Sequence, residues 1–406
     1  MPWHHRAVIC PEPSTLQELV RDLHRQATPW LPSGLGSRLQ WTAPVLPAPG
    51  ESEPLVVSTR RLDQLLELRR GDFTVTVQAG LPLASLQGAL AEAQQWLAVD
   101  WPWGSGPGGE ASGSVGGLVA RGLAGGLRQR HLGVRDQLIG ISVMRADGTI
   151  AKAGGQVVKN VAGYDLMRLL CGSWGSLGLI TELTLRTLPR PRQRGGLLVQ
   201  GNAEALEPWR QLCLGAALQP QRLDWWSPAL AGDGHPALLL ALASISSTAL
   251  NEQLQQLAAA AREQGLAVRP LPAEDLEALE SRGWGADAEP GGQGDGWLLQ
   301  LGVLPAQAVA LLADLERLGL ASSLAAGRGL GLAWAPGPSL AAPQVQQLRR
   351  RCQALGGELI VLAQPAGPAS IPAWMDSPTR PWIEAVKREF DPLQQLARGR
   401  LPGIQA

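Results

Sequence analysis

The residues with the clearest chemical potential lie in a glycine-dense stretch between Gly104 and Pro189. It is centred on Lys159-Asn160-Val161-Ala162-Gly163-Tyr164-Asp165 and Gly172-Ser173-Trp174-Gly175-Ser176-Leu177-Gly178. Glycine lets backbone approach a polyphosphate or a flat ring system closely, and successive turn N–H groups form concave anion sites. Dense glycine bracketed by strand-like runs therefore predicts a dinucleotide cradle. Lys159 stands out because lysine occurs only at Lys152, Lys159 and Lys387, the other positive side chains being arginine; a solvated charge and a ligand contact compete for it. Tyr164 is the one tyrosine, beside 15 tryptophans, and a half-buried aromatic with a bonded hydroxyl competes evenly with a cofactor-adjacent ring. For Asn160 and Asp165, turn formation competes with hydrogen bonding to the cofactor, and their position inside the block favours the cofactor.

The run Gly104-Ser105-Gly106-Pro107-Gly108-Gly109 satisfies G-x-G-x-x-G but does not read as a Rossmann fingerprint. Pro102 and Pro107 flank and interrupt it where a strand should lead straight into a helix, and no acidic residue follows at the required spacing. Arg135-Asp136 reads as a structural pair rather than a catalytic one. Trp101, Trp103, Trp225, Trp226, Trp284, Trp297 and Trp334 read as core or partner-surface residues rather than a ligand cage.

Other chemistries are bounded by what is missing. The cysteines, Cys10, Cys171, Cys213 and Cys352, are too scattered for an iron–sulfur or zinc site, so reduced core thiols and no bound metal are expected. The histidines are His4, His5, His24, His131 and His235, and none follows His235. Acidic and basic residues balance at 35 each, which gives no global attraction to nucleic acid. The longest apolar run, residues 237–243, is far too short to span a membrane, and no apolar core follows the His-Arg cluster at the start. A soluble cytoplasmic protein is expected, with peripheral membrane attachment only through partners.

Several elements must hold these residues in place. Periodicity predicts a helix over 14–27 with Ser14 as N-cap, a strand at 54–58, a helix at 62–69, a strand at 73–78 and a helix at 83–95. Strands at 139–145 and 149–153 flank an Asp147-Gly148 turn, and another alternating strand runs over 179–188. Beyond a boundary near 191–196 the order β-α-β-β-α-β occurs twice, over 197–270 and 297–363. Two such split units side by side would build one antiparallel sheet backed by helices, giving an α+β chain.

As a whole, the block resembles the PCMH-type FAD domain of the vanillyl-alcohol-oxidase-type flavoproteins, and within them the FAD-binding subunits of glycolate oxidase. The residues carrying the resemblance are Gly113-Ser114-Val115-Gly116-Gly117, Gly133-Val134-Arg135-Asp136, Gly154 through Asp165, and Gly172 through Glu182. It extends from about Ser14 to Pro191 and returns at Phe390-Asp391-Pro392. It implies a two-lobed FAD domain over 1–192 (lobes about 1–60 and 61–192), an antiparallel-sheet cap over 193–375, and a C-terminal segment, 376–406, returning to the FAD domain. Non-covalent FAD is implied, because the approach to the Gly104–Gly117 loop offers no histidine or cysteine.

Site residues implied by the resemblance are Ser33, Gly34, Leu35, Gly36, Ser37 and Arg38 as first phosphate loop, and Ala79-Gly80, with Gly80 the contact residue, as the start of a second. Gly113, Ser114, Val115, Gly116 and Gly117 would pass the flavin and pyrophosphate. Lys159, Asn160, Gly163, Tyr164 and Asp165 would sit near the flavin, and Gly175, Ser176, Leu177, Gly178 and Ile180 along the adenosine. The chain departs from the family at Ser33, where a cation is usual, and at Leu35, where glycine is usual. The catalytic cap of related 2-hydroxy-acid oxidising subunits has a His-rich motif with no counterpart here. Arg328 is a candidate cation for a substrate carboxylate, and no base candidate stands out. The implied role is a flavoprotein subunit of a glycolate oxidase or dehydrogenase complex that oxidises a small 2-hydroxy acid. Its implied partners are a homologous catalytic flavin subunit and an iron–sulfur subunit. A self-sufficient FAD oxidoreductase of another hydroxy acid and a flavin-free structural subunit are the rivals.

Overall fold

A computed structural model of the chain describes residues 8–46, 50, 54–100, 113–155, 165–215, 218–283, 296–336, 339–366 and 370–405. The first sheet is parallel, with β1 (Val8–Ile9), β2 (Trp30–Ser33) and β3 (Leu55–Ser58) in the order β1-β3-β2. Its core forms because the helix Leu16–Arg25 turns Leu16, Val20 and Leu23 onto Trp30 and Val57. Ser14 is not its cap. Thr15 holds the N-cap position, and its hydroxyl donates back to Glu12 O instead of taking a helical N–H.

The second sheet is antiparallel. It contains β4 (Leu65–Arg69) and β5 (Thr74–Gln78), and after β6 (Gln95–Trp96) it adds β7 (Leu138–Met144), β8 (Ile150–Gly154) and β9 (Leu179–Arg186), in the order β4-β5-β9-β7-β8. β10 (Leu188–Pro189) pairs with β6 outside it. The helix expected at 62–69 is the strand β4. Leucine, glutamate and arginine favour helix intrinsically, but pairing with β5 supplies ladder hydrogen bonds and lays Leu65 and Leu68 against the sheet core, which outweighs a weak propensity. The helix Leu83–Glu92 packs Leu83, Leu86 and Leu90 into that core.

The remaining strands are β11 (Gln193–Gln200), β12 (Arg222–Trp226), β13 (Ala237–Ser244), β14 (Ala267–Leu271), β15 (Gly296–Gly302), β16 (Ala321–Ala325), β17 (Leu330–Pro336) and β18 (Glu358–Ala363). They form one eight-stranded sheet, β14-β11-β13-β12-β16-β17-β15-β18, with every pairing antiparallel. The two repeats thus have the same order reflected about the β12·β16 edge, and the sheet expected from sequence is a single one. The helices Ala203–Gly215, Ser247–Glu263, Ala308–Arg317 and Ala342–Ala354 cover one face through a large apolar cluster.

The other face of this cap sheet meets the N-terminal half. Leu298, Leu332 and Leu362 pack on Trp41 and Leu123, and Thr42 N donates to Leu362 O at 2.6 Å. A buried ionic cluster makes a second junction: Arg222 of β12 pairs with Asp224 and with Asp100, both at 2.7 Å. The chain then returns through the helix Arg380–Phe390. The buried Lys387 donates to Ser176 O, Asp391 Oδ2 and Leu396 O at 2.6–2.8 Å, and Leu396 bridges to Trp30.

Candidate cofactor site

β2 and β3 run parallel, so both end on the same side of the first sheet, and the chain leaving β2 forms the turn Ser33–Arg38 there. Ser58 Oγ donates to Gly34 O at 2.7 Å, Thr59 N to Ser33 O at 2.8 Å, and Arg60 Nη2 to Leu35 O at 3.2 Å. With its carbonyls held from behind and Gly36 at φ +80°, the turn leaves the amides of Leu35, Gly36 and Ser37 with no protein acceptor among the described residues. Such an amide set is an anion nest.

Opposite this turn runs the segment 113–117. Gly116 N donates to Ala79 O and Leu83 N to Gly113 O, which fixes it to the second sheet, and Ser114 Oγ accepts Gly117 N at 3.1 Å to cap the helix Val115–Arg121. The two walls approach so closely at Gly34 that any Cβ there would collide with Ser114 Oγ. A third wall comes from 174–180, anchored by Trp174 N donating to Ala120 O at 2.8 Å.

One cavity lies between these walls. Ser33, Gly34, Leu35, Gly36, Ser37, Arg38, Ser114, Gly116, Gly117, Gly175, Gly178 and Ile180 line it. The other expected positions lie elsewhere. Gly80 does not line the cavity, because its Cα faces Thr59 O and Leu62 O, and Ala79 lines it instead. Gly113 sits behind the guanidinium of Arg38. Val115 and Leu177 point into the second-sheet core, and Ser176 is buried, its hydroxyl donating to Ser173 O. Asp165 is exposed beside Arg168 at 3.1 Å. Lys159, Asn160, Gly163 and Tyr164 lie outside the described residues, as do Trp101, Trp103, Trp284 and the Gly104–Gly109 run.

The cavity also holds residues that sequence reasoning missed: Thr59, Trp174 and Arg121. Arg121 had a legible signal, since it falls one helical turn after Gly117 and so faces the same way. Its Nε donates to Gly117 O at 3.0 Å, and its guanidinium, like that of Arg38, stands 5.4 Å from the centre of the Trp41 ring. Burial and the neighbouring Arg38 push the Arg121 pKa well down, and burial lowers Arg38 to about 10. Donors therefore converge on this cavity, in keeping with an anionic, ring-bearing dinucleotide.

Other sequence candidates resolve differently. Arg328 is exposed in the turn after β16. Asp136 does not pair with Arg135; its carboxylate accepts Gly133 N at 3.2 Å. Trp225, Trp226 and Trp297 are core residues. No group of three or more His, Cys, Asp or Glu is placed to hold a metal among the described residues, and no helix there is long and apolar enough to cross a membrane.

Residues 5–154 match the family described as FAD binding domain. Over 121 residues the chain is 43% identical to the glycolate oxidase subunit GlcE of Escherichia coli, covering 30% of this chain and 33% of that protein. It is 32% identical over 194 residues to the glycolate oxidase subunit GlcD of Bacillus subtilis (47% and 39%) and 35% identical over 177 residues to D-2-hydroxyglutarate dehydrogenase of Xanthomonas citri (43% and 35%). The matches thus span little more than a third of these relatives. In fold the chain is similar to alkyldihydroxyacetonephosphate synthase, with TM-score 0.67 at 14% identity over 97% of this chain and 77% of that one. Residues 5–154 thus form an FAD-binding domain of the PCMH type, and FAD is the cofactor of that domain.

Proposed function

We propose, from an FAD-binding domain joined to an antiparallel-sheet cap, that this chain is an FAD-dependent oxidoreductase subunit acting on CH–OH donors. Its place is in a glycolate oxidase-type complex, where a small 2-hydroxy acid is oxidised and electrons leave through partner subunits, a homologous flavin subunit and an iron–sulfur subunit. The observation that carries the reading is the cavity at the ends of β2 and β3, whose free turn amides and guanidinium suit a diphosphate. We take 1–192 as the cofactor domain, 193–375 as the cap, and 376–406 as a strap that Lys387 ties back to the cofactor domain.

When bound, FAD supplies a two-electron acceptor. The protein's part is to bind and enclose it: Ser33–Ser37 and Ser114–Gly117 would hold the polar middle of the dinucleotide, and Gly175–Ile180 would border one end. Lys159, Asn160 and Tyr164 are assigned to the flavin side. Above the cavity wall the cap offers Leu298, Leu332, Leu362 and Trp334, packed around Trp41 and Trp174. These side chains exclude water but neither take a proton from a hydroxyl nor hold a carboxylate. That apolar junction favours the subunit reading over a self-sufficient enzyme, with proton abstraction assigned to the partner flavin subunit.

The test is anaerobic addition of glycolate to the flavin-loaded chain, alone and then mixed with the partner flavin subunit. The reading expects the visible flavin bands to persist with the chain alone and to bleach in the mixture. Full bleaching of the isolated chain within seconds would instead establish a self-sufficient enzyme.

A further inference from the structure

Arg121 is a half-buried cation whose needs the described residues do not meet. Its Nε is satisfied by Gly117 O, but Nη1 is shut off from solvent and has no hydrogen-bond partner among the described residues. No carboxylate pairs with it there. Its nearest charged neighbour is the like-charged Arg38, and both guanidiniums lie against the same Trp41 ring. Around Gly113 the two come close together: a Cβ built on that residue would stand 2.9 Å from Arg38 Nη1 and 3.4 Å from Arg121 Nη2. A desolvated, unpaired charge is costly, and such charges persist where a ligand of opposite sign completes them.

The cavity faced by Arg121 states what that ligand is. The turn Ser33–Arg38 offers an anion its backbone dipoles and one full charge, Arg38, whose Nη1 also donates to Ser37 Oγ at 3.0 Å. Arg121 lines the same cavity from the opposite wall. Donors that converge from two walls suit a tetrahedral phosphate, whose oxygens point in several directions, better than a planar carboxylate, which presents one edge. We propose that Arg121 is a phosphate-binding residue that closes on the diphosphate of the bound dinucleotide and supplies, from the wall opposite the Ser33–Arg38 turn, a second full positive charge beside that of Arg38. This assignment rests on FAD occupying the cavity and adds a residue and a role to that reading.

The experiment is flavin titration of the deflavinated full-length chain, followed by flavin fluorescence, using FAD and riboflavin in parallel on wild type, Arg121→Met and Arg121→Lys. Riboflavin has the ring system and no phosphate. The proposal expects Arg121→Met to weaken FAD at least tenfold with riboflavin unchanged, and Arg121→Lys, which keeps a point charge, to fall between. Raising the salt should weaken FAD more in wild type than in Arg121→Met. An unchanged FAD affinity in Arg121→Met overturns the proposal, and so does an equal loss for both flavins, which would make Arg121 a packing residue on Trp41. An FAD affinity unaltered while glycolate binding to the flavin-loaded chain falls would give the guanidinium to a substrate carboxylate and also overturns it. If wild type binds riboflavin but gains nothing from the diphosphate, Arg121 is misassigned while flavin binding stands. If wild type binds neither, the cofactor reading itself fails. Arg121→Lys guards against a Met variant that does not fold, and far-UV circular dichroism compares all three.

Discussion

At the residue scale, two glycines of the same block do different work. Gly34 lies where the first turn touches Ser114, so any side chain there pries the two cofactor walls apart. Gly34→Val should lower FAD affinity at least tenfold while the circular dichroism spectrum stays native; undiminished FAD content would contradict this placement. Gly178 also lines the cavity, but its missing Cβ faces Val143 and Met144 of β7. Gly178→Val should therefore act first as overpacking, costing roughly 1–3 kcal/mol in urea unfolding. His131 gives a pH signature. Its ring is edge-on to Trp96 at 5.4 Å with Nε2 buried and unpartnered among the described residues, and burial, then Arg130 and Arg194, pull its pKa to about 4 from 6.5. Between those values the unfolded chain binds the proton and the folded one does not, so this contribution is intact above pH 6.5 and is lost as pH falls toward 4. Burial acts oppositely at Asp224, lifting it to about 6, so stability from that group falls as pH rises from about 4 to 6. The clean reading is thus a difference: His131→Phe should gain about 2 kcal/mol on wild type between pH 7 and pH 4.5, after discounting for partial exposure. Parallel pH profiles would refute it.

Among the elements, the junction between cap and cofactor domain is set by a few buried charges rather than by a broad pattern. Asp100 accepts Gly125 N and Leu127 N at 2.8 and 3.2 Å and pairs with Arg222 of β12, so one carboxylate orders a loop of one half and grips a strand of the other. Asp100→Asn leaves Arg222 with Asp224 and Glu280 but removes the charge across the junction, and should cost about 3 kcal/mol in urea unfolding. A loss below about 0.5 kcal/mol would mean that the apolar packing at Trp41 and Leu298 sets the junction alone. Nothing in the sequence joins position 100 to position 222, because one ion pair between a loop and a distant strand leaves no periodic trace. The same limit explains β4, where residues 62–69 carry a helical composition and only the neighbouring β5 decides their state. The split units of the cap were legible, since each turns on a change of period from two to 3.6 that is local to the chain. At the candidate site, the glycine turns that line the cavity were readable from sequence. Which way Val115 and Leu177 face was not, because that depends on how the segment seats on the second sheet.

For the molecule as a whole, the parallel sheet provides the turn and the five-stranded sheet the opposing wall of one cavity, while the eight-stranded sheet packs Leu298, Leu332 and Leu362 with Trp174 of the third wall. The C-terminal strap closes this arrangement through Lys387, whose ammonium bonds both the 174–180 wall, at Ser176 O, and the strap itself, at Leu396 O. Flavin binding should accordingly stabilise the whole chain and not one lobe, by an amount that grows with FAD concentration. The most direct test of the account is the FAD released by denaturing the purified chain, quantified against protein. The account predicts close to one FAD per chain, with visible flavin bands before denaturation. Colourless protein that takes up no FAD on reconstitution would contradict it and leave a flavin-free structural subunit as the better description.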